Sequence, residues 1–256
     1  MKYKFLLTII IIILLPGNVY ANATYNPAKG LAMASANMED LTSLGISWWY
    51  TWGENCNANS APGCINMVRS MQLPTACYDV LLVGNEPNAK EPWGAPITPT
   101  DAVRKVRAIQ LQCPATKLIV GNVSADDWSN YGGWGSGYNW LAKFLKEYKR
   151  LYHRSYTGAL SGHCYAVQTA QWCIDRLNEY RNIGVTWITE FACIQCSQAE
   201  FSKLLDAAAT FSYYSIYTNR QPRDELGNLP SWGIQGVDLA NQDGSLTPNG
   251  TIYASR

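Results

Sequence analysis

Two apolar runs in this chain each close on a glutamate. Val80-Leu81-Leu82-Val83-Gly84-Asn85 leads into Glu86-Pro87, and Thr186-Trp187-Ile188-Thr189 leads into Glu190-Phe191. A carboxylic acid that protonates a departing oxygen, paired with a carboxylate that attacks or activates water at an anomeric carbon, is the machinery for breaking a glycosidic bond. The acid must hold its proton while its partner is ionised, so their surroundings have to differ. Two further groups sit near such strand ends: His163, two residues before Tyr165, suits a hydrogen bond to substrate or to a carboxylate. A satisfied core histidine is the equally weighted alternative, while His153 follows a helix and reads as surface.

The elements that must position these groups alternate regularly. Strand patterns cover Lys29 to Ala34, Ile46 to Trp52, Ile65 to Met71, Asp79 to Gly84, Lys117 to Val123, Gly158 to Tyr165, Thr186 to Phe191 and Phe211 to Tyr217. Helical stripes separate them: a short turn capped by Asn37, then a helix opened by Thr98-Pro99. Others follow near Trp140 to Tyr152, over Gln168 to Asn182, and after Ser197-Gln198-Ala199-Glu200, which reads as a capping box. Eight strand–helix units predict one α/β domain, a single (β/α)8 TIM barrel over residues 24–256. In such a barrel catalytic groups project from the carboxyl ends of strands, and the two glutamates fall on the fourth and seventh.

Ten tryptophans and sixteen tyrosines supply faces on which sugar rings stack. Trp52, at the mouth end of the alternating Trp48, Tyr50 and Trp52, is expected to be a sugar platform, as are Trp134, in a glycine-rich loop, and Trp232. Trp140 and Trp172 read as core.

Lys2 and Lys4 precede an apolar run from Phe5 to Leu15, and Pro16-Gly17 follows. The run is shorter than the roughly 20 residues that span a bilayer, so residues 1–23 are expected to be a signal peptide cleaved after Ala21 or Ala23. Its removal takes two lysines and no acids, leaving 18 basic against 19 acidic residues. That balance argues against nucleic acid or an anionic membrane as partner and favours a neutral polysaccharide. The expected location is extracellular or cell wall, the expected state a monomer without metal or cofactor. Eight cysteines in an exported chain predict a disulfide framework, with Cys56–Cys64 and Cys77–Cys113 feasible pairs. Asn122-Val123-Ser124 and Asn249-Gly250-Thr251 match the glycosylation acceptor pattern.

Asn85-Glu86-Pro87 resembles the acid/base signature of clan A glycoside hydrolases. With Lys29-Gly30-Leu31-Ala32, Trp48-Trp49-Tyr50-Thr51-Trp52, His163-Cys164-Tyr165 and Trp187-Ile188-Thr189-Glu190-Phe191-Ala192, the chain resembles glycoside hydrolase family 128. The resemblance implies an endo-β-1,3-glucanase that retains configuration, with Glu86 as acid/base and Glu190 as nucleophile. It further implies Asn85 on the sugar 2-hydroxyl and Tyr165 holding the nucleophile. Cys164 in place of an aromatic, Val68-Arg69-Ser70-Met71-Gln72 on the third strand and Gly84 before Asn85 depart from the family's pattern. Action on another β-glycan (β-1,4-glucan or mannan) and a non-catalytic β-glucan-binding protein on the same barrel are the alternatives.

Overall fold

The computed structural model describes residues 26–34, 37–56, 62–231 and 233–256. The leader proposed for residues 1–23 and the platform expected at Trp232 lie outside the described residues. Eight parallel strands form one sheet: β1 (Lys29–Ala32), β2 (Trp48–Tyr50), β3 (Asn66–Val68), β4 (Val80–Val83), β5 (Lys117–Ser124), β6 (Ala159–Val167), β7 (Val185–Ile194) and β8 (Tyr213–Tyr217). Their order, β2-β1-β8-β7-β6-β5-β4-β3, is that of a ring cut between β2 and β3. A parallel bridge between Trp49 and Cys64 closes the cut, with the Trp49 amide on Gly63 O at 2.9 Å and the Ile65 amide on Trp49 O at 2.8 Å. The chain is a single (β/α)8 barrel.

The period-2 pattern of each strand separates two apolar layers. Trp48, Tyr50, Met67, Leu82, Ile119 and Trp187 fill the barrel, whereas Leu31, Trp49, Val68, Leu81 and Val83 face outward to the helices. Gly30 is required by this filling: a Cβ there would lie 2.2 Å from the indole of Trp48.

The helices are α1 (Met38–Ser43), α2 (Pro99–Gln112), α3 (Gly137–Tyr152), α4 (Gln171–Asn182), α5 (Gln198–Ala208) and α6 (Pro248–Ala254). Asn37, Thr98, Ser136, Ser197 and Thr247 each accept a backbone N–H of the following first turn, which explains where these helices start. The Glu200 side chain does not complete a capping box; it reaches across to the Ala170 amide at 2.8 Å and so ties α5 to the start of α4. Trp140 is fully buried, but Trp172 is 41% exposed on α4, contrary to the core position expected for it.

The count of eight strand–helix units needs correction. Among the described residues no α-helix follows β2 or β3. Disulfides brace that side instead: Cys56–Cys64 staples the β2–β3 connection, and Cys77–Cys113 ties the β3–β4 connection to the end of α2. Cys164–Cys173 joins β6 to α4, and Cys193–Cys196 closes the turn after β7. Cys164 is therefore committed to a crosslink, which accounts for the missing aromatic after His163.

At the opposite end of β1, the Lys29 ammonium donates to Tyr253 O at 3.1 Å, and burial pushes its pKa down to about 8. With Tyr253 Oη donating to Gly30 O at 2.6 Å, this locks the last helix onto the first strand.

Candidate active site

Glu190 points into the barrel from β7, which runs four residues beyond it to Ile194. Its side chain is buried, and both oxygens are occupied. Oε1 accepts from Tyr50 Oη at 2.8 Å and from Trp52 Nε1 at 2.9 Å, and Oε2 accepts from Tyr165 Oη. Tyr50 and Trp52 share the inward face of the β2 segment by alternation, and Tyr165 comes from the neighbouring β6. Burial and the charge of Glu190 push the hydroxyl pKa values of Tyr50 and Tyr165 well above the ordinary tyrosine value, so both stay donors.

Glu86 stands three residues past the end of β4, in a left-handed conformation (φ +45°) two residues after Gly84 (φ +92°). These two turns swing the chain sharply. A φ of +92° is one that side-chain-bearing residues rarely adopt, so glycine is needed there in place of the bulkier residue of the family pattern. The Glu86 amide donates to Asn122 O at 2.8 Å, which fixes the turn to β5.

His163 stands between the two carboxylates. It is fully buried, its Nδ1 lies 3.2 Å from Glu86 Oε1, and its Nε2 lies 3.5 Å from Glu190 Oε1. Burial raises the pKa of Glu86; the hydrogen bond and charge of His163 oppose this, and the charge of Glu190 adds to it. Burial would lower the pKa of His163, but the charge of Glu190, then the bond and charge of Glu86, outweigh it and hold the imidazole above its ordinary value. Both values end above their ordinary positions for different reasons, Glu86 through burial and the charge of Glu190, His163 through the two carboxylates.

Above this cluster lies a cleft of about 540 Å³. Asn85 lines it, with an Oδ1 that has no hydrogen-bond partner among the described residues. Trp52, Tyr165, Tyr217 and Ile194 contribute one part of the wall, and Arg69, Trp93, Asp126 and Trp128 another. Burial raises the Asp126 carboxyl pKa against a lowering bond from Ser124, and its charge reaches Glu86. No group of three or more His, Cys, Asp or Glu side chains among the described residues is arranged to hold a metal ion.

The structure thus brings Glu86, Glu190, Asn85, His163, Tyr165 and Trp52 into one site. It does not bring Trp134 there. That side chain is 44% exposed on the loop pinned by its own amide to Asn88 O, and Trp128, six residues earlier, lines the cleft. Trp52 also has a part not expected of it, as a hydrogen-bond donor to Glu190. Sequence reasoning missed Tyr50 as a donor, although its place between Trp48 and Trp52 on the inward face was a usable signal. Asp126, Trp93 and Arg69 came with no periodic signal. Asn122 is fully buried and its amide nitrogen donates to Gly84 O at 2.8 Å, so the folded chain offers no glycosylation acceptor there.

The family described as "Glycosyl hydrolase catalytic core" matches residues 24–253. Curated protein sequences give no match. Among solved structures, the fold is similar to a GH128 subgroup II endo-β-1,3-glucanase from Sorangium cellulosum (20% identity, 89% of this chain and 98% of that one, TM-score 0.65). It is also similar to a subgroup II endo-β-1,3-glucanase from Pseudomonas viridiflava (23% identity, 91% and 98%, TM-score 0.64). A subgroup VII oligosaccharide-binding protein from Cryptococcus neoformans shares the fold too (17% identity, 91% and 96%, TM-score 0.54). A match over nearly the whole described chain places the protein in the glycosyl hydrolase catalytic core family, on the barrel that the GH128 structures share.

Proposed function

We propose that the protein is a secreted GH128 endo-β-1,3-glucanase that cleaves with retention of configuration. The observation that carries this reading is the pair of glutamates, one on the turn after β4 and one on β7, meeting one buried imidazole, His163, at the floor of an aromatic-walled cleft. In the first step Glu86 donates its proton to the glycosidic oxygen as Glu190 attacks the anomeric carbon, forming a glycosyl ester and releasing the shortened chain. In the second, Glu86 takes a proton from water, which displaces Glu190.

The electrostatics support the change of role. The charge on Glu190 is one cause holding Glu86 up and the foremost upward influence on His163. Esterification removes that charge, so both groups release protons more readily once the intermediate has formed, and Glu86 becomes a competent base. Tyr50, Trp52 and Tyr165 hold the nucleophile in one orientation, and Asn85 has a free acceptor for a sugar hydroxyl.

Four disulfides fit an oxidising compartment, and no helix among the described residues is long and apolar enough to cross a membrane. A monomer acting on a neutral β-glucan is the corresponding expectation for partners.

The test is product analysis on linear β-1,3-glucan, with β-1,4-glucan and mannan as controls, comparing wild type with Glu86→Gln and Glu190→Gln. Oligosaccharides from β-1,3-glucan alone, lost in both variants, support the reading. Activity only on a control changes the substrate and keeps the mechanism. Binding without cleavage in the wild type replaces the enzyme by a glycan-binding protein.

A further inference from the structure

Next to the segments that carry the two carboxylates, and outside the cleft wall, lies a buried polar residue that the chemistry above does not use. β5 is interrupted between Val120 and Val123 by a register shift, and its two bulged residues, Gly121 (φ +117°) and Asn122 (φ +49°), are both left-handed. A Cβ at Gly121 would sit 2.8 Å from Ser161 O, so the first position requires glycine; the second takes asparagine, one of the few side-chain-bearing residues that tolerates this conformation. A bulge of this kind aims a side chain where a regular strand would not.

Asn122 is fully buried and fully engaged. Its Nδ2 donates to Gly84 O at 2.8 Å, on the turn that carries Glu86. Its Oδ1 accepts from Ser161 Oγ on β6 at 2.8 Å and from Thr189 Oγ1 on β7 at 2.7 Å, one residue before Glu190. Its own amide donates to Ser161 Oγ at 2.8 Å, and its carbonyl accepts the Glu86 amide at 2.8 Å. One side chain therefore touches three other strands or their ends, and two of those contacts adjoin the glutamates.

We infer that Asn122 is a positioning residue for the reaction, fixing the separation and aim of Glu86 and Glu190 by tying the β4 turn and β7 to one bulge on β5. The inference rests on the assignment of those glutamates as the reacting pair. A displacement of about 1 Å in such a pair can cost about a hundredfold in rate without weakening substrate binding.

The discriminating variants are Asn122→Gly, which keeps the backbone conformation and deletes the side chain, and Thr189→Val, which is close to isosteric and removes one donor. Kinetics on β-1,3-glucan oligosaccharides and an NMR titration of the His163 imidazole are read together. For Asn122→Gly the expected result is kcat down about 30- to 100-fold with KM within about twofold, and a displaced His163 midpoint. Thr189→Val is expected to lower kcat about fivefold and to add nothing in the Asn122→Gly background, because the two act through one bond. If Asn122→Gly does not fold, Thr189→Val and Ser161→Ala carry the same test. Unchanged kcat and an unchanged His163 titration in a folded variant overturn the inference, as does simple additivity of the two losses. A wild type that leaves every glucan intact defeats the proposed function instead, and the His163 titration alone then decides the role of Asn122.

Discussion

His163 and Glu190 are register partners on β6 and β7, and the imidazole that approaches Glu190 Oε1 at 3.5 Å presents its other nitrogen to Glu86 Oε1 at 3.2 Å. A parallel register puts both side chains on the inward face at one height, so a single ring can report each carboxylate's charge to the other.

Replacing that ring tests its part directly. In Glu86 the bond and charge of His163 work against the upward push of burial. His163→Phe keeps the apolar volume and removes both, so the Glu86 pKa rises further. The basic limb of the pH profile of kcat/KM is then expected to move to higher pH, and kcat to fall about tenfold or more as the acid loses its orienting partner. A limb that stays put or moves down would contradict the arrangement.

The donors to Glu190 make a graded prediction. Tyr165→Phe and Tyr50→Phe each delete one hydrogen bond to a buried carboxylate and leave the ring in place. Bonds to charged groups are worth about 1.5–3 kcal/mol, which corresponds to a loss of roughly 10- to 100-fold in kcat if the bond matters in the transition state. Steady-state kinetics on β-1,3-glucan should show this fall with little change in KM. Single variants at wild-type rates would mean that the hydroxyls do not hold the nucleophile.

Glu86 should also make stability depend on pH. Its folded-state pKa is raised, so the stability it contributes is full below its unfolded value and is lost as pH rises through the folded one. Glu86→Gln removes this loss. The melting temperature of Glu86→Gln relative to wild type is therefore expected to climb as pH rises above the ordinary carboxylate value of 4.5. A difference that is flat across that range, or that falls, would show that Glu86 is not held in its neutral form.

Much of this site was legible because strands obey a short period. The eight apolar runs, Glu86 after the fourth and Glu190 within the seventh, follow from alternation and turn residues, and His163 and Tyr165 share a face for the same reason. What escaped was set by contacts between distant segments. Among the described residues no α-helix follows β2 or β3, and disulfides brace those connections instead, which the cysteine spacing allowed but did not require. The α6 helix opens with Thr247-Pro248, the same local signal as Thr98-Pro99. Trp128 rather than Trp134 lines the cleft because the glycine-rich loop is folded back on Asn88, whose Nδ2 donates to Gly135 O at 3.0 Å. No local pattern encodes that fold-back.

The packing of the barrel floor gives a test of the fold independent of chemistry. Gly30 faces the indole of Trp48, which itself stacks edge-on against Trp187 with ring centroids 5.0 Å apart. Gly30→Ala should destabilise by about 1–3 kcal/mol, because a rigid ring wedged against another cannot yield. Thermal or urea unfolding measures it, and Trp48→Leu in the same background should recover part of the loss. An unperturbed Gly30→Ala would place the indole elsewhere.

The coupling of the three titrating groups leads to a last measurement that needs no substrate. The charge of Glu190 is the foremost influence raising the His163 pKa, ahead of the Glu86 bond and charge, while burial acts downward. Neutralising Glu190 as Glu190→Gln leaves burial less opposed, so the His163 midpoint in an NMR titration should fall. Glu86→Gln should lower it too. The same fall is expected when a fluorinated glycosyl inhibitor is held on Glu190, since an ester, like an amide, carries no charge. Had the midpoint stayed fixed in Glu190→Gln, the electrostatic switch that turns Glu86 from acid to base would lose its basis, because His163 lies within reach of both carboxylates and would have to feel the change.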